Sequence, residues 1–315
     1  MAMEYTPRYF RKMACLSKLE AGYAEDATPL PVNRVIMSNV NFRPMVAQRI
    51  ERNLILPYLS NQGVILVGIY ATIEGDIELS GSGVPGTPPL WGTALRSAGM
   101  SETVVADTEV VYERAATDES CSIYFVMDGV RHILVGCRAD LTFNLQAPGL
   151  PSARVTYTGL LGTITDVANP VISTAGWLTP LPVGKENTKL TLHGWNAVGQ
   201  SLSIGLGNRV TPRFLIGHEG VHITDKKPTG TAVVEAVSLA TIDWFDRAKK
   251  RTRAALAAQH GRDDPGGTPG NIIEFEATAV EVGEPTPGES DGFLNYSLAL
   301  DIIGDGGLDL KITVR

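Results

Sequence analysis

The one stretch whose residue types and spacing match known chemistry is His218-Glu219-Gly220-Val221-His222. It fits H-E-x-x-H, with which zinc proteases hold a metal between two histidines and set a glutamate beside it as general base. That chemistry needs a helix, because helical spacing puts residues i and i+4 on one face, roughly 6 Å apart. The flanks here point to a strand instead. Pro212 and Pro228 bracket the segment, Gly217 and Gly220 fall beside and inside it, and Val221, Ile223 and Thr224 favour extended backbone. On a strand the two imidazoles are expected about 13 Å apart, too far to share one ion. The zinc metallohydrolase reading therefore ranks last.

Other candidate sites are thinner. His132, His193 and His260 stand alone. The glycines of 81–86 and 205–207 lack the strand-to-helix context and the lysine that phosphate cradling needs. Ser82 lacks nucleophile-elbow spacing. Glu74, Asp76 and Glu78, like Glu274 and Glu276, alternate along strand-like runs, which reads as solvated faces. The basic run from Arg247 to Arg253 reads as an exposed helical face balanced by Asp243 and Asp246. The expectation is a protein that is not an enzyme, with no catalytic residues, no metal and no cofactor.

The elements around these residues are mostly strands. Ser122–Met127 alternates, Asp128-Gly129 signals a tight hairpin, and a second alternating run spans Val130 to Leu145. There Ala139, Leu141, Phe143 and Leu145 share one face, and Arg138, Asp140, Thr142 and Asn144 the other. Ala153, Val155 and Tyr157 extend the pattern, giving an antiparallel meander. Before it, Arg8–Glu20 is expected to form a short helix or an arm, and Val35–Tyr58 an extended, charged loop between two strands. A strand is expected over Val64–Leu79 and a short helix over Leu90–Ala98. After the meander, a strand is expected over Val233–Ile242 and a helix capped by Asp243 running to about Gln259. Asn271–Val282 and Phe293–Asp301 then read as strands joined by a Pro/Gly loop. Each half thus reads strand, helix, long hairpin, with matching elements roughly half the chain apart and no residue identity to speak of.

The 315 residues suffice for two ordinary cores, and 43% apolar with 19% charged residues is a folded composition. No apolar run is long enough to span a membrane, and no secretory signal opens the sequence. The net charge of −7 is shared between the halves, leaving no basic patch to grip nucleic acid. Cys15, Cys121 and Cys137 have no close pair in sequence and read as reduced thiols.

Three segments together resemble the tail tube (major tail) proteins of long-tailed bacteriophages, those with non-contractile tails foremost. They are RYFRKMACLSKLEAGYAEDATP, then ATIEGDIELSGSG followed by PPLWGTALRSAGM, and SIYFVMDGVRHILVGCRADLTFNLQAPGLPSARVTYTGL. The resemblance is strongest over residues 8–162. It implies a mainly β fold with two tandem tail-tube domains, 1–162 and 163–315, each a β-sandwich or barrel with a flanking helix and long hairpins. It implies a virion protein, assembled in the host cytoplasm, whose rings stack into the hollow tail tube through which DNA passes. Three chains would give a pseudo-sixfold ring; if the second half were a decoration domain, six would be needed. The implied partners are further copies of the chain, a tape measure protein inside the tube, terminator and distal tail proteins at its ends, and double-stranded DNA in passage; no membrane is involved. A lumen must let phosphate slide past, so Asp140, Thr142, Asn144, Glu274, Glu276 and Thr278 are the expected lumen residues. Ring stacking is expected to fall to the segment carrying Arg43, Arg49, Glu51 and Arg52. The competing class is a β-sandwich binding module of adhesin type, monomeric and with a cluster of exposed aromatics.

Overall fold

The computed structural model describes residues 7–263, 266–304 and 309–315. The first half contains β1 (Met13–Leu19), β2 (Arg34–Val35), β3 (Ser38–Glu51), β4 (Val64–Glu78) and α1 (Gly92–Ser97). It continues with β5 (Met100–Val105), β6 (Glu109–Arg114), β7 (Cys121–Met127), β8 (Val130–Gln146) and β9 (Ser152–Asp166). The second half contains β10 (Thr188–Leu192), β11 (Trp195–Asn196), β12 (Gly199–Gly205), β13 (Asn208–Leu215), β14 (His218–Lys226) and β15 (Thr229–Glu235). After α2 (Trp244–Lys250) come β16 (Arg253–His260), β17 (Ile273–Val282), β18 (Thr286–Ser290), β19 (Phe293–Ile302) and β20 (Lys311–Val314). The fold is mainly β, as the alternation requires.

The meander forms where the pattern is cleanest. Asp128 and Gly129 both take positive φ, 37° and 89°, and close a two-residue turn between paired Met127 and Val130. β8 is long enough to serve two neighbours on one edge. Its first part pairs with β7, its last part with β12, while β9 runs along the other edge. From β8 the sheet extends one way through β9 and β4 to β3. On the other side it splits into β7–β1–β2 and β12–β15–β19–β18. β17 meets the end of β19 and turns the sheet into a second layer, in which β20, β6 and β5 lie on one side and β16, β10 and β11 on the other. Phe143 of β8 and Phe275 of β17 meet between the layers with ring centroids 5.0 Å apart. One apolar core runs through both halves, with Trp91 beside α1 and Trp244 at the start of α2 buried in it. Residue 162 lies inside β9, and β8–β12 and β6–β20 hydrogen-bond across the line between 1–162 and 163–315.

Several elements differ from expectation. Met13, Leu16 and Leu19 suit a helical face, yet β1 is a strand, because β7 and β2 offer it pairing edges. The segment expected as a charged loop is β3, fourteen residues long and paired with β4. Strand β15 ends at Glu235, short of the expected Ile242. Asp243 does cap α2, its Oδ1 accepting the Asp246 N–H at 2.9 Å, but the helix has only seven residues. Arg251 takes a left-handed φ of 52°, and the alanine-rich remainder becomes β16 between β10 and β17. Alanine is the best helix former, but intrinsic propensity is small against tertiary pairing, and two paired edges outweigh it. The loop expected before β19 holds a further strand, β18. In β17 a bulge opposite Ala254–Leu256 moves Ala279 off the inner face and puts Val280 and Val282 there.

Candidate assembly surface

β4 pairs with β9 only from Tyr70 to Glu78. Towards Val64 it keeps β3 alone, so Gln48–Glu51 and Val64–Val67 leave the sheet as a two-stranded arm. Residues 52–63 form its tip. Gln62 holds the tip together: its Oε1 accepts the Leu54 N–H at 2.6 Å and its Nε2 donates to the Leu54 carbonyl at 2.6 Å. The arm is rich in apolar groups facing solvent. Ile55 and Leu59 are 102% and 104% exposed, and Ile50, Leu54, Ile65 and Leu66 are exposed too. A lone hairpin is marginally stable in water, and a solvated protein gains nothing from a contiguous apolar tip. Arg43, Arg49 and Glu51 lie on β3 and Arg52 just beyond it, all four exposed. In the sequence, the apolar run from Leu54 to Leu59 is a stronger signal of this surface than the charged residues beside it.

The six expected lumen residues are not brought together. Phe143 and Phe275 point at each other, so their neighbours in sequence point outward from opposite layers. On β8, Asp140, Thr142 and Asn144 are half-buried. Asp140 Oδ1 accepts the Asn208 N–H at 2.9 Å, and Asn144 Oδ1 accepts the Ser203 hydroxyl at 2.9 Å. Burial raises the Asp140 carboxyl above its ordinary range, only partly countered by backbone donors from Asn208 and Leu141. The β13–β14 hairpin, a separate two-stranded sheet, lies across β4, β8 and β9, with Phe214 over Gly68. On β17, Glu274 accepts from Arg315 Nη2 at 2.7 Å and Glu276 faces Lys311 Nζ at 3.2 Å, while Thr278 is exposed. Arg315 also reaches Asp263, which faces Lys189. This row is a lattice of matched charges rather than an acidic face. Residues 8–12, the start of the segment Arg8–Glu20 expected as a short helix or an arm, lean on the β7–β8 turn. Arg8 Nη2 lies 2.7 Å from Asp166, and the Tyr9 N–H donates to Asp128 at 2.6 Å.

The HEGVH segment is a strand, β14, as its flanks required. The expected separation of the rings is wrong, however. The Nε2 atoms of His218 and His222 lie 3.3 Å apart, with ring centroids at 5.6 Å. Backbone rise sets where side chains start, not where they end, and Gly220 between them leaves room for both rings to lean inward. A Cβ on Gly220 would sit 2.9 and 3.0 Å from the two nitrogens. Tyr23 stacks on His222 at 6.0 Å and is held by its hydroxyl, which donates to the Val221 carbonyl and accepts the Val221 N–H. Nothing in the sequence linked Tyr23 to this segment. Burial lowers the His222 pKa, and the neighbouring His218, Arg138 and Arg213 lower it further against the opposing charge of Asp118. No group of three or more His, Cys, Asp or Glu among the described residues is placed to hold a metal.

Cys121 and Cys137, distant in sequence, are cross-strand partners on β7 and β8, and with Cys15 they are free and buried. Burial pushes Cys15 and Cys137 upward, away from reactive thiolate. Among the described residues no helix is long and apolar enough to cross a membrane. No family model matches the chain, and no curated protein matches it in sequence.

Proposed function

We propose that the chain is a structural subunit that assembles with copies of itself, and that the assembly is a ring-stacked tube of the phage-tail kind. The observation that carries this reading is the β3–β4 arm: a hairpin, apolar at its tip, projecting from the sheet with its tip left exposed by the described residues of its own chain. Covering such a tip with a neighbouring subunit supplies the burial that the arm lacks. The mainly β sandwich and the resemblance over residues 8–162 support the same reading. For the lumen the β17 row is favoured over the β8 row, because Asp140, Thr142 and Asn144 are half-buried whereas Glu276 and Thr278 are exposed. A surface on which Glu274 and Glu276 each face a cation gives DNA phosphate neither a grip nor a barrier, which suits passage. If each half acts as one tube domain, three chains close a ring. The tape measure, terminator and distal tail proteins would then be its partners, and the virion tail its location.

Electron microscopy of the purified protein, with ring mass measured alongside, tests the proposal. Hollow rings or tubes are expected. Three chains per ring would support two tube domains per chain, and six would mean one. A monomer that stays dispersed at the highest attainable concentration would overturn the proposal and favour a binding module.

A further inference from the structure

We propose that His218 and His222 form a two-histidine site for a divalent transition-metal cation, completed by water, on the β13–β14 hairpin. A tetrahedral ion with metal–nitrogen bonds of about 2.0–2.1 Å needs its two imidazole nitrogens about 3.3–3.4 Å apart. The Nε2 atoms stand at 3.3 Å before any ion is considered. Three features hold them there. The strand puts both side chains on one face, Gly220 leaves the gap between them free, and the Tyr23 ring, tied to Val221, backs His222.

The site differs from that of a zinc protease. Glu219 alternates to the other face of β14, away from both rings, so the motif's glutamate does not stand beside the ion as a general base. Such an ion would pin the hairpin rather than catalyse. Imidazole selects zinc, nickel or copper over magnesium and calcium, which prefer oxygen. A proton competes for the same place, since one ring N–H can donate to the other ring's lone pair. Around the pair, the charges of Arg138 and Arg213 oppose an incoming cation and that of Asp118 favours it.

Calorimetric titration of the full chain with Zn²⁺ at pH 7.5, and with Mg²⁺ as comparison, tests the site. One Zn²⁺ per chain is expected, and no Mg²⁺. His218→Ala, at an exposed position, should weaken Zn²⁺ at least tenfold while melting like the wild type without metal. Gly220→Ala keeps both histidines but fills the gap between them, and should weaken Zn²⁺ comparably. Absence of Zn²⁺ binding in the wild type, or unchanged affinity in His218→Ala, would overturn the assignment. The titration reads the single chain, so its outcome is independent of whether rings form.

Discussion

Replacing Ile55 and Leu59 together by serine separates assembly from folding. Both side chains are fully exposed, and neither is among the side chains that close the tip, so the isolated chain should change stability by no more than about 0.5 kcal/mol. In an assembly that covers the tip, each of these residues gains about 1.5–3 kcal/mol by burial. The pair then contributes about 3–6 kcal/mol to each subunit contact, or roughly 10²–10⁴-fold in its equilibrium constant. If the receptor covers only half of each side chain, about tenfold remains. Sedimentation velocity over a concentration series gives the threshold for polymer formation, and thermal melting reports on the fold. The expected result is an unchanged melt and a threshold raised at least tenfold. A double variant that polymerises at the wild-type concentration would refute the assignment of the tip as a contact.

Further outcomes follow from charge and burial. His193 and His260 are buried, and burial depresses both pKa values; His193 also spends Nε2–H on the Val280 carbonyl at 2.9 Å and faces Arg247 at 3.2 Å with Nδ1. The unfolded chain therefore binds protons first, and stability should fall as pH drops from about 6.5, by at most about 1.4 kcal/mol per unit for each histidine. Asp140, with its raised pKa, works in the opposite sense at lower pH. Urea midpoints at pH 7.5 and 5.5 measure this, and equal midpoints would contradict it. Lys226 and Asp309, 8% and 5% exposed, pair at 3.3 Å. Asp309→Ala leaves the lysine buried alone and should cost about 3–5 kcal/mol in urea unfolding, whereas Lys226→Met with Asp309→Leu should recover most of it. Glu274→Lys with Glu276→Lys places new cations beside Arg315 and Lys311, and should slow DNA passage if β17 faces the lumen. Virions of normal infectivity carrying both changes would remove that strand from the lumen.

What the sequence revealed depended on whether local pattern and tertiary pairing agreed. β7, β8 and β9 were legible because alternation, the Asp128-Gly129 turn and burial all point the same way. β16 was not, since Arg253–His260 is rich in a helix former and becomes a strand only through its neighbours β10 and β17. β3 lacked a buried face to betray it, because most of it is exposed on both sides. The candidate lumen set was built on outward-facing strand positions, and periodicity alone cannot say that two outward faces belong to opposite layers. The contact between Phe143 and Phe275 decides that. The histidine pair escapes the sequence for another reason: backbone spacing does not fix side-chain spacing, and Gly220, which in the sequence argues only against a helix, also leaves space for both rings.

The seat of β20 sets a schedule. Tyr112 of β6 faces Ile312, 200 residues further along the chain, and β20 also fills an edge of β17. At about 5–20 residues per second of synthesis, β6 waits roughly 10–40 s for its partner strand. During that interval its open edge and the inner residues Val110 and Tyr112 lack their final cover. A nascent chain thus has an unfinished sandwich while its β3–β4 arm is already complete, so the arm can meet neighbours before the body that carries it is closed. Translation rate and chaperone supply, rather than final stability alone, would then govern how much of this protein reaches a productive form.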